Sequence, residues 1–289
     1  MRASSLAGAD SLALILQKRK YRSQGLVVAM HETPASLEAQ LREQLEFASQ
    51  HFTITTLDGF AKLWDKVPES DTHLKPPLLF TFDDGRESNY AVAAPLLESF
   101  GGRGVFFVVP EFAKLSAPAE ALAFYRTRMN PDSRPGDQES EDWKPMSPDQ
   151  IADLANRGHA IGNHTLTHER LAGLSPETLE REIGGSARQL TAWTKKPVDA
   201  FAWTFGWDAI DATAFRTIER YHRFCFSPCG GAVNRHDDGP SLLWRREIEA
   251  RYTEPEYRFC YSGLVDLWWR SRRTRLREML RASSTQTVD

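Results

Sequence analysis

Short apolar runs alternate with amphipathic stretches along most of this chain. Gly25-Leu26-Val27-Val28-Ala29-Met30 is too apolar to face water and reads as a buried strand. Residues 35–50 carry Leu37, Leu41, Leu45 and Phe47 at helical spacing among charged residues, which predicts an amphipathic helix. Phe52-Thr53-Ile54-Thr55-Thr56 predicts a strand, and residues 57–65 a short helix. Leu78-Leu79-Phe80-Thr81-Phe82 is the clearest buried strand, and it stops abruptly at Asp83-Asp84-Gly85. A helix is expected at about 88–99, ended by Gly101-Gly102, and a strand over Gly104–Val109, stopped by Pro110.

Residues 128–146 are polar and rich in Pro, Asp, Glu and Ser, the composition of a long surface loop. Ser147-Pro148-Asp149-Gln150 reads as a capped helix start with proline in the first turn. That helix is expected to end near Gly158, and His159–Asn163 to form a short strand leading into His164. Further units follow: a helix from Ser175 to about Trp193, a strand at Ala200–Trp203, and a helix at about 210–220. Strands alternating with helices imply parallel pairing and right-handed crossovers, so a single α/β domain built as a barrel or distorted barrel is the expected architecture.

The two ends differ from this rhythm. Leu12, Leu14, Ile15 and Leu16 precede Lys18, Arg19 and Lys20, an apolar stretch too short to span a bilayer and with charge on the wrong side for a signal peptide. The expectation is a cytoplasmic protein. At the other end, Trp268-Trp269 is followed by Arg270, Arg272, Arg273, Arg275 and Arg277 with Leu276, Met279 and Leu280 between them. This basic helix either packs on the domain as a solvated element or touches anionic lipid peripherally. The expected organisation is an N-terminal extension 1–24, a catalytic domain 25–250 and a basic helical tail 251–289. A net charge of -3 argues against nucleic acid as the partner, since phosphate binding favours a basic surface. Three cysteines make no disulfide framework, and Cys225 and Cys229 lack the second close pair a structural zinc site needs, so free thiols are expected.

Candidate chemistry lies at the strand ends. Asp-Asp-Gly alone is ordinary turn composition. At the end of a strand this apolar it falls where barrel folds build active sites. Two adjacent carboxylates repel, and a cation would divide their roles: one acid binds it, the other stays free as a base. His164-Thr165-Leu166-Thr167-His168 also follows a strand end, and on a helix its spacing would place both rings on one face. Two imidazoles and a carboxylate suit Zn²⁺ or a similar divalent ion, and three protein ligands leave a position open for water.

Thr81-Phe82-Asp83-Asp84-Gly85 and His164-Thr165-Leu166-Thr167-His168 together resemble the first two motifs of the polysaccharide deacetylase family, the NodB-homology domain, over about residues 25–250. The resemblance implies a distorted (β/α) barrel and metal-assisted removal of acyl groups, usually acetyl from N-acetylated sugars. By motif position it implies Asp83 as catalytic base and Asp84, His164 and His168 as metal ligands. Phe201-Ala202-Trp203-Thr204-Phe205-Gly206 resembles the Phe-Ala-Tyr-Pro-Phe-Gly segment of one branch, with Thr204 where proline is usual. Met30-His31 is similar to that branch's Tyr-His pair, so His31 is expected either to face the site or to be a core histidine. The late Leu-x-His motif of many members has no histidine here. Arg245 stands where the branch carries arginine, and is expected to pair with Asp83 or to steady developing negative charge. The proton for the leaving amine is left open between His31, His236 and another route. The expected substrate is an acetylated amino sugar in a glycan or a lipid-linked precursor, with Zn²⁺ as cofactor. The alternatives are a deformylase or amidase on a non-sugar amide, and an inactive barrel that only holds a glycan.

Overall fold

The structure, a computed structural model, describes residues 24–65, 75–132, 142–234 and 239–282. The apolar cluster at residues 12–16, His236 and the last seven residues lie outside it.

The predicted strands form one sheet. The first is β1 (Gln24–Met30), then β2 (Thr53–Ile54), β3 (Pro77–Phe82), β4 (Val105–Val108), β5 (Ala160–Asn163) and β6 (Ala200–Ala202). The chain continues through β7 (Phe224–Ser227), β8 (Val233–Asn234), β9 (Leu243–Trp244) and β10 (Arg246–Glu247). The strand order is β10-β1-β3-β4-β5-β6-β7-β9, with every pairing along it parallel. The two ends of that order are one continuous stretch of chain. Leu243-Trp244 pairs with β7, Arg246-Glu247 pairs with β1, and Arg245 lies between them. This split strand closes the sheet into a distorted barrel.

Alternate strand residues face opposite sides, and the core divides accordingly. Val27, Leu79, Val105, Phe107, Ala200, Ala202, Phe224, Phe226 and Leu243 fill the barrel, joined by Leu57, Phe60 and Ala61 of the helix Leu57–Asp65. The other face of β1, β3 and β4 packs outward on the helices Glu38–His51, Ala94–Ser99 and Pro148–Asn156. Phe201 and Cys225 pack outward on the helix Ala212–Tyr221 and on Leu276 of the helix Asp266–Ala282. Cys225, Cys229 and Cys260 are free thiols.

Boundaries follow the local chemistry. Ser147 accepts from the Gln150 backbone and Gln150 returns the bond, a capping box that starts its helix at Pro148. The helices expected at 88–99 and 175–193 are each interrupted by a wider turn, at Asn89–Ala93 and Glu180–Gly185. The C-terminal region is built into the core: Tyr257 and Tyr261 belong to one outer cluster and Leu276 to the other. Among the described residues no helix is long and apolar enough to cross a membrane.

Candidate active site

The inward parity of each strand, carried one step past its end, points the polar residues into one cavity. Leu79 and Thr81 lead to Asp83, Gly162 to His164, Val27 and Ala29 to His31, and Leu243 to Arg245. The cavity measures about 360 Å³ and is lined by all four of these polar residues together with Asp84, Arg86 and His168. That volume is within the ordinary range for small-ligand pockets, ~300–1,000 Å³.

Asp84 breaks the alternation and should face away from Asp83. Its φ of 74° turns the chain in the left-handed region instead, which a short polar side chain tolerates better than most. Gly85 continues the turn at φ 73°, and a Cβ there would come within 3.3 Å of Val108 Cα. Both carboxylates therefore reach the cavity.

The cavity keeps the two acids apart by giving each its own arginine. Arg245 Nη1 donates to Asp83 Oδ1 at 2.6 Å and Nη2 to Oδ2 at 2.9 Å. Arg245 also donates to Thr81 Oγ1 at 3.2 Å and lies over the Phe107 ring, 5.4 Å from its centroid. Arg86 donates to Asp84 Oδ2 through Nη2 at 2.8 Å and Nε at 3.2 Å. Arg86 is in turn held by the Asp142 carbonyl at 2.7 Å and by the Tyr125 ring at 5.2 Å. Burial pushes both carboxyls up, but the arginines and histidines outweigh it: Asp83 is lowered, and Asp84 lies well below the usual carboxylate range. Both are ionised at neutral pH.

With Oδ2 of Asp84 occupied, Oδ1 faces two imidazoles, 3.7 Å from His164 Nε2 and 3.5 Å from His168 Nε2. Each ring is held at its other nitrogen: His164 Nδ1 lies 2.7 Å from the Ala202 carbonyl and His168 Nδ1 3.0 Å from the Arg128 carbonyl. A carbonyl only accepts, so both Nδ1 atoms donate and both Nε2 atoms are turned toward Asp84. Desolvation lowers the His164 pKa to about 4, which keeps that ring neutral. One ligand atom from each residue lies within 4.8 Å of the others. The donor set, its burial and its tautomers fit a divalent ion with an open coordination position.

His164 and His168 do not share a helix face. Residues 164–169 are a loop, with Thr165 at φ 63° and His168 at φ 60°. Positive φ at a β-branched residue costs of order 1 kcal/mol or more, and the surroundings fix it. Asn163 Oδ1 accepts from Thr165 N at 2.9 Å. Glu182, fully buried, accepts from Thr167 N at 3.0 Å and Thr167 Oγ1 at 3.1 Å. Thr204, the departure from the branch's proline, donates to the Glu169 carbonyl at 2.7 Å. A hydroxyl at this position thus ties down the residue next to His168.

His31 faces the site. Its Nε2 is 3.9 Å from Asp83 Oδ2, and its Nδ1 is 2.6 Å from Oε1 of buried Glu249. The His31 backbone N–H donates to Oε2 of the same carboxylate at 3.1 Å. Desolvation alone would lower the His31 pKa. Attraction and hydrogen bonding from Glu249, with Asp83 and Asp84 behind it, outweigh this and raise it to about 10. Glu249 and Arg86 are not among the residues singled out from sequence. Glu249 is 218 positions from its partner, so no local pattern reveals it. Arg86 adjoins the Asp-Asp-Gly turn, and a basic residue beside two acids was its available signal.

Comparison with known proteins identifies the family and the fold. A family model described as Polysaccharide deacetylase matches residues 70–221. No curated protein matches the chain. Several solved structures share the fold. A polysaccharide deacetylase from Bacillus cereus is 17% identical with a TM-score of 0.60, over 82% of this chain and 69% of that one. The deacetylase PplD from Streptococcus pyogenes, in complex with acetate, is 15% identical with a TM-score of 0.61, over 81% and 95%. IcaB from Ammonifex degensii is 19% identical with a TM-score of 0.59, over 84% and 97%. At these identities the structures establish the shared barrel.

Proposed function

This chain belongs to the polysaccharide deacetylase family, and from that membership we propose that it is a Zn²⁺-dependent hydrolase that removes acetyl from an N-acetylated sugar of a glycan. The observation that carries the reading is one cavity holding both the Asp84, His164 and His168 triad and a separate, arginine-held carboxylate. Acetate, the product of such a reaction, accompanies the Streptococcus pyogenes deacetylase of the same fold.

Asp84, His164 and His168 would hold the ion. When bound, it supplies Lewis acidity toward a carbonyl oxygen and toward water. Asp83 is the base. Arg245 keeps it ionised and fixes its plane, and each carboxylate oxygen keeps a second lone pair for the attacking water's proton. His31, cationic and held by Glu249, directs Nε2 into the cavity and donates the proton that the leaving nitrogen requires. This gives the acid step a residue where the late Leu-x-His histidine is missing.

Two variants separate the roles. Asp84→Ala is expected to abolish stoichiometric divalent-metal binding and acetate release together. Asp83→Asn should keep the metal, by elemental analysis, and lose about 10²–10⁴ in rate, the usual worth of a general base. An Asp83→Asn protein with near-normal acetate release would overturn the assignment.

A further inference from the structure

Among the described residues, the exposed large apolar side chains sit in one place. They are Leu264, Leu267 and Trp268, at 42%, 69% and 70% exposure. Leu267 and Trp268 lie in the first turn of the helix Asp266–Ala282, and Leu264 in the turn just before it. Adjacent helical residues point about 100° apart, and the two tryptophans show the consequence. Trp269 packs inward, so close to Gly230 that a Cβ there would come within 2.4 Å of its ring. Trp268 leans on Phe259, with ring centroids 6.1 Å apart, and otherwise faces water. Leu276 is fully buried on the inward face, with Met279 and Leu280 packed beside it.

The outward face is basic. Arg270, Arg272 and Arg275 are exposed: helix geometry puts Arg275 on the side of Leu267 and Trp268 and the other two on its flanks, with Arg272 also over the Trp269 ring, 4.9 Å from its centroid. The helix carries six arginines against Asp266 and Glu278, a local +4 in a chain of net charge -3. Asp266 is bound by Arg246 and neutralised locally.

We propose that this patch docks the protein on an anionic lipid bilayer, with Leu267 and Trp268 entering the headgroup boundary and Arg270, Arg272 and Arg275 meeting lipid phosphates. Tryptophan and leucine flanked by arginines on the solvent side of a helix is the composition of an interfacial helix. A bilayer of negative surface charge complements it in sign. A second copy in a two-fold contact would set the same arginines against themselves, so charge disfavours self-association. The helix is also packed against one wall of the cavity. Trp269 and Arg273 rest on Gly230 and Gly231, and Pro228, two residues earlier, lines the cavity.

The test is co-sedimentation of the full chain with phosphatidylglycerol–phosphatidylcholine vesicles and with pure phosphatidylcholine vesicles. Binding is expected only to the anionic ones, and to weaken with salt. The triple variant Arg270→Gln, Arg272→Gln, Arg275→Gln should bind on the order of a hundredfold more weakly, at about fivefold per basic residue. The variant Leu267→Ser, Trp268→Ser should also lose binding, and both should unfold thermally like the wild type, since none of these side chains is buried. Equal binding to neutral and anionic vesicles overturns the proposal, as does variant binding equal to wild type. So does a Leu267→Ser, Trp268→Ser change that alters only the oligomeric state of the free protein. None of these readouts depends on catalysis, so they stand or fall apart from the deacetylase assignment.

Discussion

Asp83 and Asp84 are chain neighbours with different electrostatic partners because the backbone reverses hand between them. Arg245 holds the first and Arg86 the second, and each pairing leaves a different oxygen environment facing the cavity. The acid side of the mechanism rests on Glu249. In the proposed mechanism, activity requires Asp83 ionised and His31 protonated. Asp83 titrates below the usual carboxylate range and His31 at about 10, so the active form spans the pH range between them. Glu249→Gln removes the main influence that raises His31 and leaves burial, which lowers it. The alkaline limb of the kcat/KM profile should therefore move to lower pH while the acid limb stays, with a loss of about 10²–10⁴ on the alkaline side. A pH–rate profile checks this; an unmoved alkaline limb would remove His31 from the acid role. Asp83, Asp84, His164, His168, Arg245 and His31 were all legible in the sequence, because each sits in or beside a short motif. Glu249 and Glu182 were not, because their partners come from distant segments joined only by folding.

At the scale of elements, the strands that carry the site are short and held by what lies beneath them. Phe107 fills the barrel under Arg245 and packs on Phe226, with ring centroids 5.2 Å apart. Gly162 on the neighbouring strand makes room for it: a Cβ there would lie 2.3 Å from the Phe107 ring. Gly162→Ala should therefore destabilise the protein by ~1–3 kcal/mol, the usual cost of overpacking. It should also lower kcat by displacing the ring beneath Arg245. Thermal unfolding and acetate release on the same preparation test both effects. Long apolar runs such as 78–82 announced their strands in sequence. β9 and β10 did not, since two residues have no periodicity. The histidine loop was misread in its conditional helical form for a related reason: its geometry depends on Glu182 and Thr204, which lie outside the motif.

At the scale of the whole molecule, the alternation of strand side chains explains why residues as far apart as His31 and Arg245 share one cavity. The strands β1, β3 and β5 and the split strand end at one rim, where His31, Asp83, His164 and Arg245 stand above mostly apolar inward positions. The barrel was legible from the alternation of strands and helices. Its closure was not, because it depends on one segment pairing with both β7 and β1 across the break at Arg245. The central claim is that this rim is a metal-dependent deacetylase site. It is tested most directly by stripping the full chain with a chelator and measuring acetate release from an N-acetylated oligosaccharide as Zn²⁺ is returned. The expected result is no release without metal and a rise that saturates at one equivalent per chain; release that is undiminished in the stripped protein, or absent at every metal concentration, would contradict it.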